Sequence, residues 1–367
     1  SDEKNNIELD QYIKNLPFQK AKHRKYKCKK VSVDESIFIK ESRISTQNTF
    51  GKILDQYAKN NTEFSQRIIT TSPDVSVSTN LGPWINRKGL FNRKESSDTF
   101  KDRKIPSAQK WIFSSQGQHI ELGIAEMNLF LMLGAAGLSH ECFGERLFPI
   151  GTVYDPFISR GLDAMNYACY QDARFMIVGT PSGISLAPEG GAHQSIATPL
   201  IGISQPGLLS FEPAFADELA LIMNYGFNFL QDEDGGSIYL RLSTRSIDQP
   251  LREMDNELKK NIIKGGYWLK KPGPNPEVII IYQGAVASEV IEATAFLGER
   301  FKDLGVLSVT SSDNLFHEWK KQALSFKNNK TQSHIEKLLE SVPKDTRIIT
   351  VIDGHPMTLS WIGSVYG

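Results

Sequence analysis

Four short runs of this 367-residue chain put reactive side chains where chemistry is possible. Glu126 heads an apolar stretch, Gly123-Ile124-Ala125-Glu126-Met127-Asn128 and onward to Leu138. A carboxyl group on such a helix can share a proton with a neighbouring base; the plainer alternative is a solvent-facing helix glutamate. Further on, Phe148, Tyr154 and Phe157 precede Arg160. Aromatic rings hold a flat heterocycle at small entropic cost, although core packing is the simpler role for Phe148. The run Glu189-Gly190-Gly191-Ala192-His193-Gln194 sets an imidazole in a glycine-rich loop, able to donate to an oxygen or move a proton near neutrality. Finally, Ser72-Pro73-Asp74 closes a β-branched run. Asp74 there either faces a ligand or caps the strand-to-loop turn.

These residues need a scaffold, and the hydrophobic pattern supplies one. The segment 45–60 has apolar residues at helical spacing after a Ser/Thr cap signal, followed by a buried strand at 67–72. An apolar helix from 123 to 139 leads to a strand at 147–154, a helix over 156–169 and a strand at 174–180. A strand at 207–213, a helix from 216 to 230 and a strand at 237–243 complete the unit. Strands alternating with helices predict a mostly parallel sheet covered on both faces, an α/β fold. A second, smaller α/β unit follows, with strands at 277–285, 306–311 and 347–354. We expect residues 1–40 to be a linker or arm, 41–255 the first domain and 256–367 a second one that reads as incomplete. The basic excursion at 84–118 reads as irregular surface chain, and the charged, then proline-rich stretch at 248–275 as a linker.

Composition narrows the function. Lys plus Arg and Asp plus Glu each number 42, so the basic excess of a nucleic-acid binder is missing. No apolar run approaches the roughly 20 residues that span a bilayer, and no membrane association is expected. Cys28, Cys142 and Cys169 match neither a zinc set nor a complete disulfide framework. A cytoplasmic protein acting on a small molecule, with protein partners, is the expectation.

The Glu126 run resembles the helix that opens the pyrimidine site of the transketolase-like thiamine-diphosphate enzymes. The resemblance extends over residues 41 to 367 and is strongest over 119–245. It implies that Glu126 hydrogen-bonds N1′ of the aminopyrimidine and so activates the cofactor. By motif position Phe157 is the ring that stacks on the pyrimidine and Tyr154 its polar neighbour. His193 matches a loop histidine that reaches the substrate, and Asp74 and Ser78 lie in a strand-end loop near cofactor and substrate respectively. Arg245 keeps one of the family's substrate-gripping positions.

Departures sharpen the reading. Gln47 stands where transketolases place an arginine, and Pro181 where they have a histidine, so two of three sugar-phosphate grips are missing. The resemblance is therefore nearest to the homodimeric decarboxylating component of pyruvate (2-oxoacid) dehydrogenases. That implies thiamine diphosphate with Mg2+, a small 2-oxoacid substrate, a homodimer formed through the Glu126 helix, and a lipoyl acyltransferase partner. The Gly-Asp-Gly motif that holds Mg2+ in this family does not occur at the required spacing; Asp234-Gly235-Gly236 and Asp353-Gly354-His355 do not replace it. The metal ligands are thus expected in a separate diphosphate-binding domain, and this chain alone is expected to be inactive. Ketol transfer between sugar phosphates and a non-catalytic dimerising fragment stay open as alternatives.

Overall fold

A computed structural model describes residues 2–15, 28–35, 39–94, 102–106, 110–324 and 331–365. The first domain contains β1 (Arg43–Ile44), α2 (Thr46–Asn60), α3 (Glu63–Gln66), β2 (Ile68–Ser72), α4 (Gly82–Lys88), β3 (Leu90–Phe91), β4 (Phe113–Ser114) and β5 (His119–Glu121). It continues with α5 (Glu126–Gly137), α6 (Ser139–Phe143), β6 (Phe148–Val153), α7 (Leu162–Tyr170), β7 (Met176–Gly179), α8 (Leu200–Ser204), β8 (Leu208–Phe211), α9 (Ala216–Phe229), β9 (Ser237–Arg241) and β10 (Ile247–Asp248). Next comes α10 (Asn256–Lys264), whose Ile262 enters the core of the large sheet, and the second domain holds β11 (Gly266–Lys270), β12 (Val278–Gln283), α11 (Ala287–Leu297), β13 (Gly305–Val309), α12 (Ser312–Ala323), α13 (His334–Leu339), β14 (Arg347–Ile352) and α14 (Met357–Ser360). Ahead of both lies α1 (Asp2–Asn15).

Eight strands form one sheet in the order β4-β3-β5-β2-β6-β7-β9-β8, every pairing parallel. Alternate residues of its central strands enter two cores. Phe148, Ile150, Met176, Val178, Ile238 and Leu240 pack with α2, α4 and α9 on one face. Val153, Ile177 and Tyr239 pack with α5 and α7 on the other. Burial on both faces is why these strands are continuous apolar runs instead of alternating ones. Phe148 takes its core place, edge-to-face with Phe64 and Phe227.

The second domain is a four-stranded sheet, β11-β13-β12-β14, parallel except for β11. Two expectations need correction here. The stretch 248–275 is not only linker: Asp255 caps α10 by accepting from the Leu258 N–H, and β11 joins the sheet. Within 84–118, Trp84 and Ile85 of α4 are fully buried and β3 and β4 extend the large sheet. Residues 95–101 and 107–109 of that stretch lie outside the described residues. So does most of the basic cluster at 20–30. Val31, just beyond it, is buried and exchanges two hydrogen bonds with the Gln231 side chain.

Topology decides where a site can form. The chain leaves β2 for β3 to β5 on one side, then crosses back to β6 on the other. In such sheets ligands lie beyond the carboxyl ends of strands beside this reversal. Glu126 follows β5, Asp74 and Ser78 follow β2, Tyr154 and Phe157 follow β6, and His193 follows β7. All six candidates leave the carboxyl ends of four adjacent strands.

Candidate active site

Glu126 is the first residue of α5 and is 8% exposed. Its Oε1 accepts from Arg160 Nη1 at 2.5 Å. Arg160 is held by the segment Asp155–Gly161, a 3-10 helix. With three residues per turn, side chains at i and i+3 eclipse on such a helix. Asp155, Ile158 and Gly161 accordingly form its buried side, while Tyr154, Phe157 and Arg160 share the other. Gly161 is required: a β-carbon there would collide with the Phe130 ring of α5.

The exposed side of this helix assembles the cluster. The Arg160 guanidinium lies 3.9 Å from the Phe157 ring centroid. The Tyr154 and Phe157 rings are near-parallel, 13° apart with centroids separated by 6.0 Å. His193 meets both, its ring 5.2 Å from Phe157 and 6.2 Å from Tyr154, and its Nε2 lies 3.8 Å from Glu189 Oε2. Glu126, Arg160, Phe157, Tyr154 and His193 are thus contiguous. Their combination of a recessed carboxylate, two aromatic faces and an imidazole suits a flat, nitrogen-bearing ring and a carbonyl substrate beside it.

Asp155 anchors this arrangement from below. Fully buried, it accepts from Thr198 Oγ1 (2.5 Å), Tyr239 OH (2.5 Å) and Arg241 Nε (3.1 Å). Arg241 also donates to Glu212 Oε1 at 2.6 Å, and Gln283 of β12 donates to Glu212 Oε2 at 2.9 Å. Burial pushes the Glu212 carboxyl up, against the pull of Arg241. Sequence reasoning missed Asp155, Arg241 and Glu212 altogether; the one local trace is Asp155 standing directly before Pro156.

Asp74 and Ser78 occupy the neighbouring loop. Asp74 has φ +63°, a conformation that short polar side chains tolerate, and its N–H donates to Glu121 Oε1 at 2.8 Å. The capping role is therefore filled by Glu121. Glu121 Oε2 also accepts from Ser76 Oγ (2.6 Å), which lies 2.9 Å from His119 Nε2, while Thr70 Oγ1 lies 2.9 Å from His119 Nδ1. A proton on Nε2 satisfies this whole chain of bonds. Ser78 is exposed, and its carbonyl accepts from Gln47 Nε2 at 2.8 Å; the same nitrogen reaches Thr180 Oγ1 at 3.1 Å. Both amide hydrogens of Gln47 are thereby engaged, which leaves it no donor for a phosphate. Arg245 is not drawn into the Glu126 cluster: it pairs with Glu289 of α11.

Comparison with known proteins gives the site a context. The family model for the pyruvate dehydrogenase E1 component middle domain matches residues 30–250. The chain belongs to that family. A pyruvate dehydrogenase E1 component from Mycolicibacterium smegmatis is 28% identical over 283 residues, which are 75% of this chain and 30% of that protein. The chain thus spans about a third of the curated relatives it matches. Among solved structures, the transketolase from Leishmania mexicana matches with a TM-score of 0.66 at 16% identity, over 89% of this chain and 40% of that one. A split-gene transketolase described as an inactive beta4 tetramer matches with a TM-score of 0.51 at 18% identity, over 88% of this chain and 92% of its own. The fold is that of the transketolase-like, thiamine-diphosphate-type E1 proteins.

Thiamine diphosphate, the cofactor of this type, can be tested against the residues present. A recessed acid at one end of an aromatic shelf fits an aminopyrimidine, so Glu126, Phe157 and Tyr154 are the side chains that would hold it. Among the described residues, no group of three or more His, Cys, Asp or Glu side chains could hold a metal ion. No helix among them is long and apolar enough to cross a membrane.

Gly134 abuts Ala168 of α7 and Gly137 abuts Arg174, so these small residues serve packing within the chain. What α5 turns outward is Met127 and Leu131, at 42% and 57% exposure, and Ile124, two residues before the helix, is 80% exposed. Met127 and Leu131, four residues apart, share one face of the helix.

Proposed function

We propose that this chain is the pyrimidine-binding and C-terminal part of a thiamine-diphosphate-dependent 2-oxoacid dehydrogenase, pyruvate-like in substrate, that passes its acyl group to a lipoyl carrier on an acyltransferase partner. The observation that carries the reading is Glu126, recessed and contiguous through Arg160 and Phe157 with His193. When bound, the cofactor supplies a nucleophilic carbon that accepts the keto carbon and stores the electrons released with CO2.

The chain's own residues do the rest. Glu126 shares a proton with the pyrimidine nitrogen, a role that requires Arg160 to yield part of its ion pair. Phe157 stacks on that ring and Tyr154 borders it. His193 donates to the substrate carboxylate or carbonyl, or moves the proton that accompanies acyl transfer. Asp74 borders the cofactor, and Ser78 and Arg245 face the substrate side; Arg245 must leave Glu289 to do so. Mg2+ and the diphosphate are held by a separate domain, on another stretch of polypeptide or another chain. A homodimer through the apolar face of α5, with the exposed Tyr167 and Tyr170 of α7, brings two such sites together. Three free cysteines accord with a reducing cytoplasm.

Ketol transfer on the same fold is disfavoured because Gln47 has no donor left and Pro181 offers none. Titration calorimetry with thiamine diphosphate and Mg2+ tests the reading. We expect negligible heat from the chain alone and tight binding once a diphosphate-binding domain from a relative is added. Equally weak binding in both cases would instead leave a non-catalytic, dimerising role.

A further inference from the structure

The loop that carries His193 has little hold of its own. Between Gly183 and Ala197 three isolated 3-10 turns follow one another, and Leu186 is its one buried side chain. Segments with few buried apolar contacts lie at the low end of local stability. Contacts from outside therefore decide where such a loop rests. Its flanks are tied to the first domain, through Ser182 Oγ donating to the Leu242 carbonyl (2.7 Å) and Thr198 Oγ1 to Asp155. Inside those flanks, Thr244 N–H reaches Ser185 Oγ at 3.4 Å, a long bond.

Two shorter bonds come from one place in the second domain, the turn after β14. Asp353 Oδ2 accepts from the Ile184 N–H at 2.6 Å. The His355 N–H donates to the Ile196 carbonyl at 2.7 Å. One bond lies near each end of the loop. The approach is close enough that a β-carbon on Gly183, which has φ +47°, would collide with the Asp353 carboxylate and meet Arg241 Nη2.

We infer that the Asp353–His355 turn is a clasp by which the C-terminal domain positions His193. Asp353 acts through the loop and touches none of the clustered side chains, so it is a positioning residue. Its consequence for turnover rests on the functional reading above; the clasp itself does not.

The test uses the full chain. Thermolysin cleavage between Gly183 and Ala197, located by mass spectrometry, is expected to accelerate about 10-fold or more in Asp353→Ala. Asp353→Asn should stay near wild type, because its amide oxygen can accept from the same N–H. Gly183→Ala, which breaks the contact from the loop side, should match Asp353→Ala. Thermal unfolding of each variant checks that both sheets remain folded. Wild-type cleavage rates in Asp353→Ala and Gly183→Ala, or an Asn variant as labile as the Ala one, overturn the clasp.

With a diphosphate-binding domain supplied, kcat/KM for pyruvate should fall about 10- to 100-fold in Asp353→Ala. Thiamine-diphosphate affinity should hold, and the loss should vanish in a His193→Ala background. A loss that persists without His193 also overturns the positioning role. Absence of turnover in the wild-type pairing defeats the functional reading and leaves cleavage to decide the clasp alone.

Discussion

The turn after β6 and the loop after β7 deliver side chains to one cluster, yet they are built differently. The turn 155–161 buries every third residue, including Asp155 with three donors upon it, and draws its support mainly from its own domain. The loop 183–197 buries one side chain and takes its two shortest outside bonds from the neighbouring domain. The aromatic shelf and Arg160 are thus preorganised, whereas the imidazole is placed by a contact that can be made or broken. A site with one rigid wall and one adjustable wall suits a cofactor that stays and a substrate that comes and goes.

The largest effect should follow from removing the rigid wall's anchor. Asp155→Ala leaves Arg241 with Glu212 alone in a fully buried setting, and breaking such a pair costs about 3–5 kcal/mol. Urea unfolding should show that loss. A change below about 1 kcal/mol would mean that the turn is no better anchored than the loop, and the contrast would collapse. Next comes Glu126→Gln, which keeps shape and removes the acid. In the assembled enzyme we expect intact folding with turnover reduced more than ~100-fold. Near-native turnover would remove Glu126 from its role, whatever its position.

What was readable in the sequence follows the range of the interactions. Helix α2 and strands β2, β6, β7 and β9 announce themselves through local periodicity and caps, such as Ser45 accepting from the Asn48 N–H. The pieces read as loop or linker are those with sparse apolar signal: α4 buries Trp84 and Ile85 within a basic stretch, and α10 buries only Ile262. Residue types in the site were legible because each motif is short. Their partners were not. Arg160 lies 34 positions from Glu126, Asp155 lies 86 from Arg241, and Ile184 lies 169 from Asp353. Only strand order brings such pairs together, and no spacing along the chain encodes it. Nor could the sequence distinguish small residues of α5 that pack inward, Gly134 and Gly137, from a face presented to a second copy.

The third piece of this edge, the β2 loop carrying Asp74 and Ser78, offers the smallest and most conditional effect. It hangs on Glu121. Burial by itself would raise that carboxyl, but His119, Ser76 and the Asp74 N–H outweigh burial and hold it below its ordinary value of 4.5. A carboxyl depressed in the folded state adds stability that is present above the ordinary value and is lost as pH falls through the folded one. Acid should therefore loosen this loop once pH falls below the ordinary carboxylate range. Hydrogen exchange of the Asp74 amide, which donates directly to Glu121 Oε1, reads this transition. In Glu121→Gln the amide oxygen still accepts from Asp74 but cannot titrate, so the acid-dependent rise in exchange should disappear. If the same rise persists in that variant, protonation of Glu121 is not what loosens the loop, and Asp74 would belong with the rigid wall.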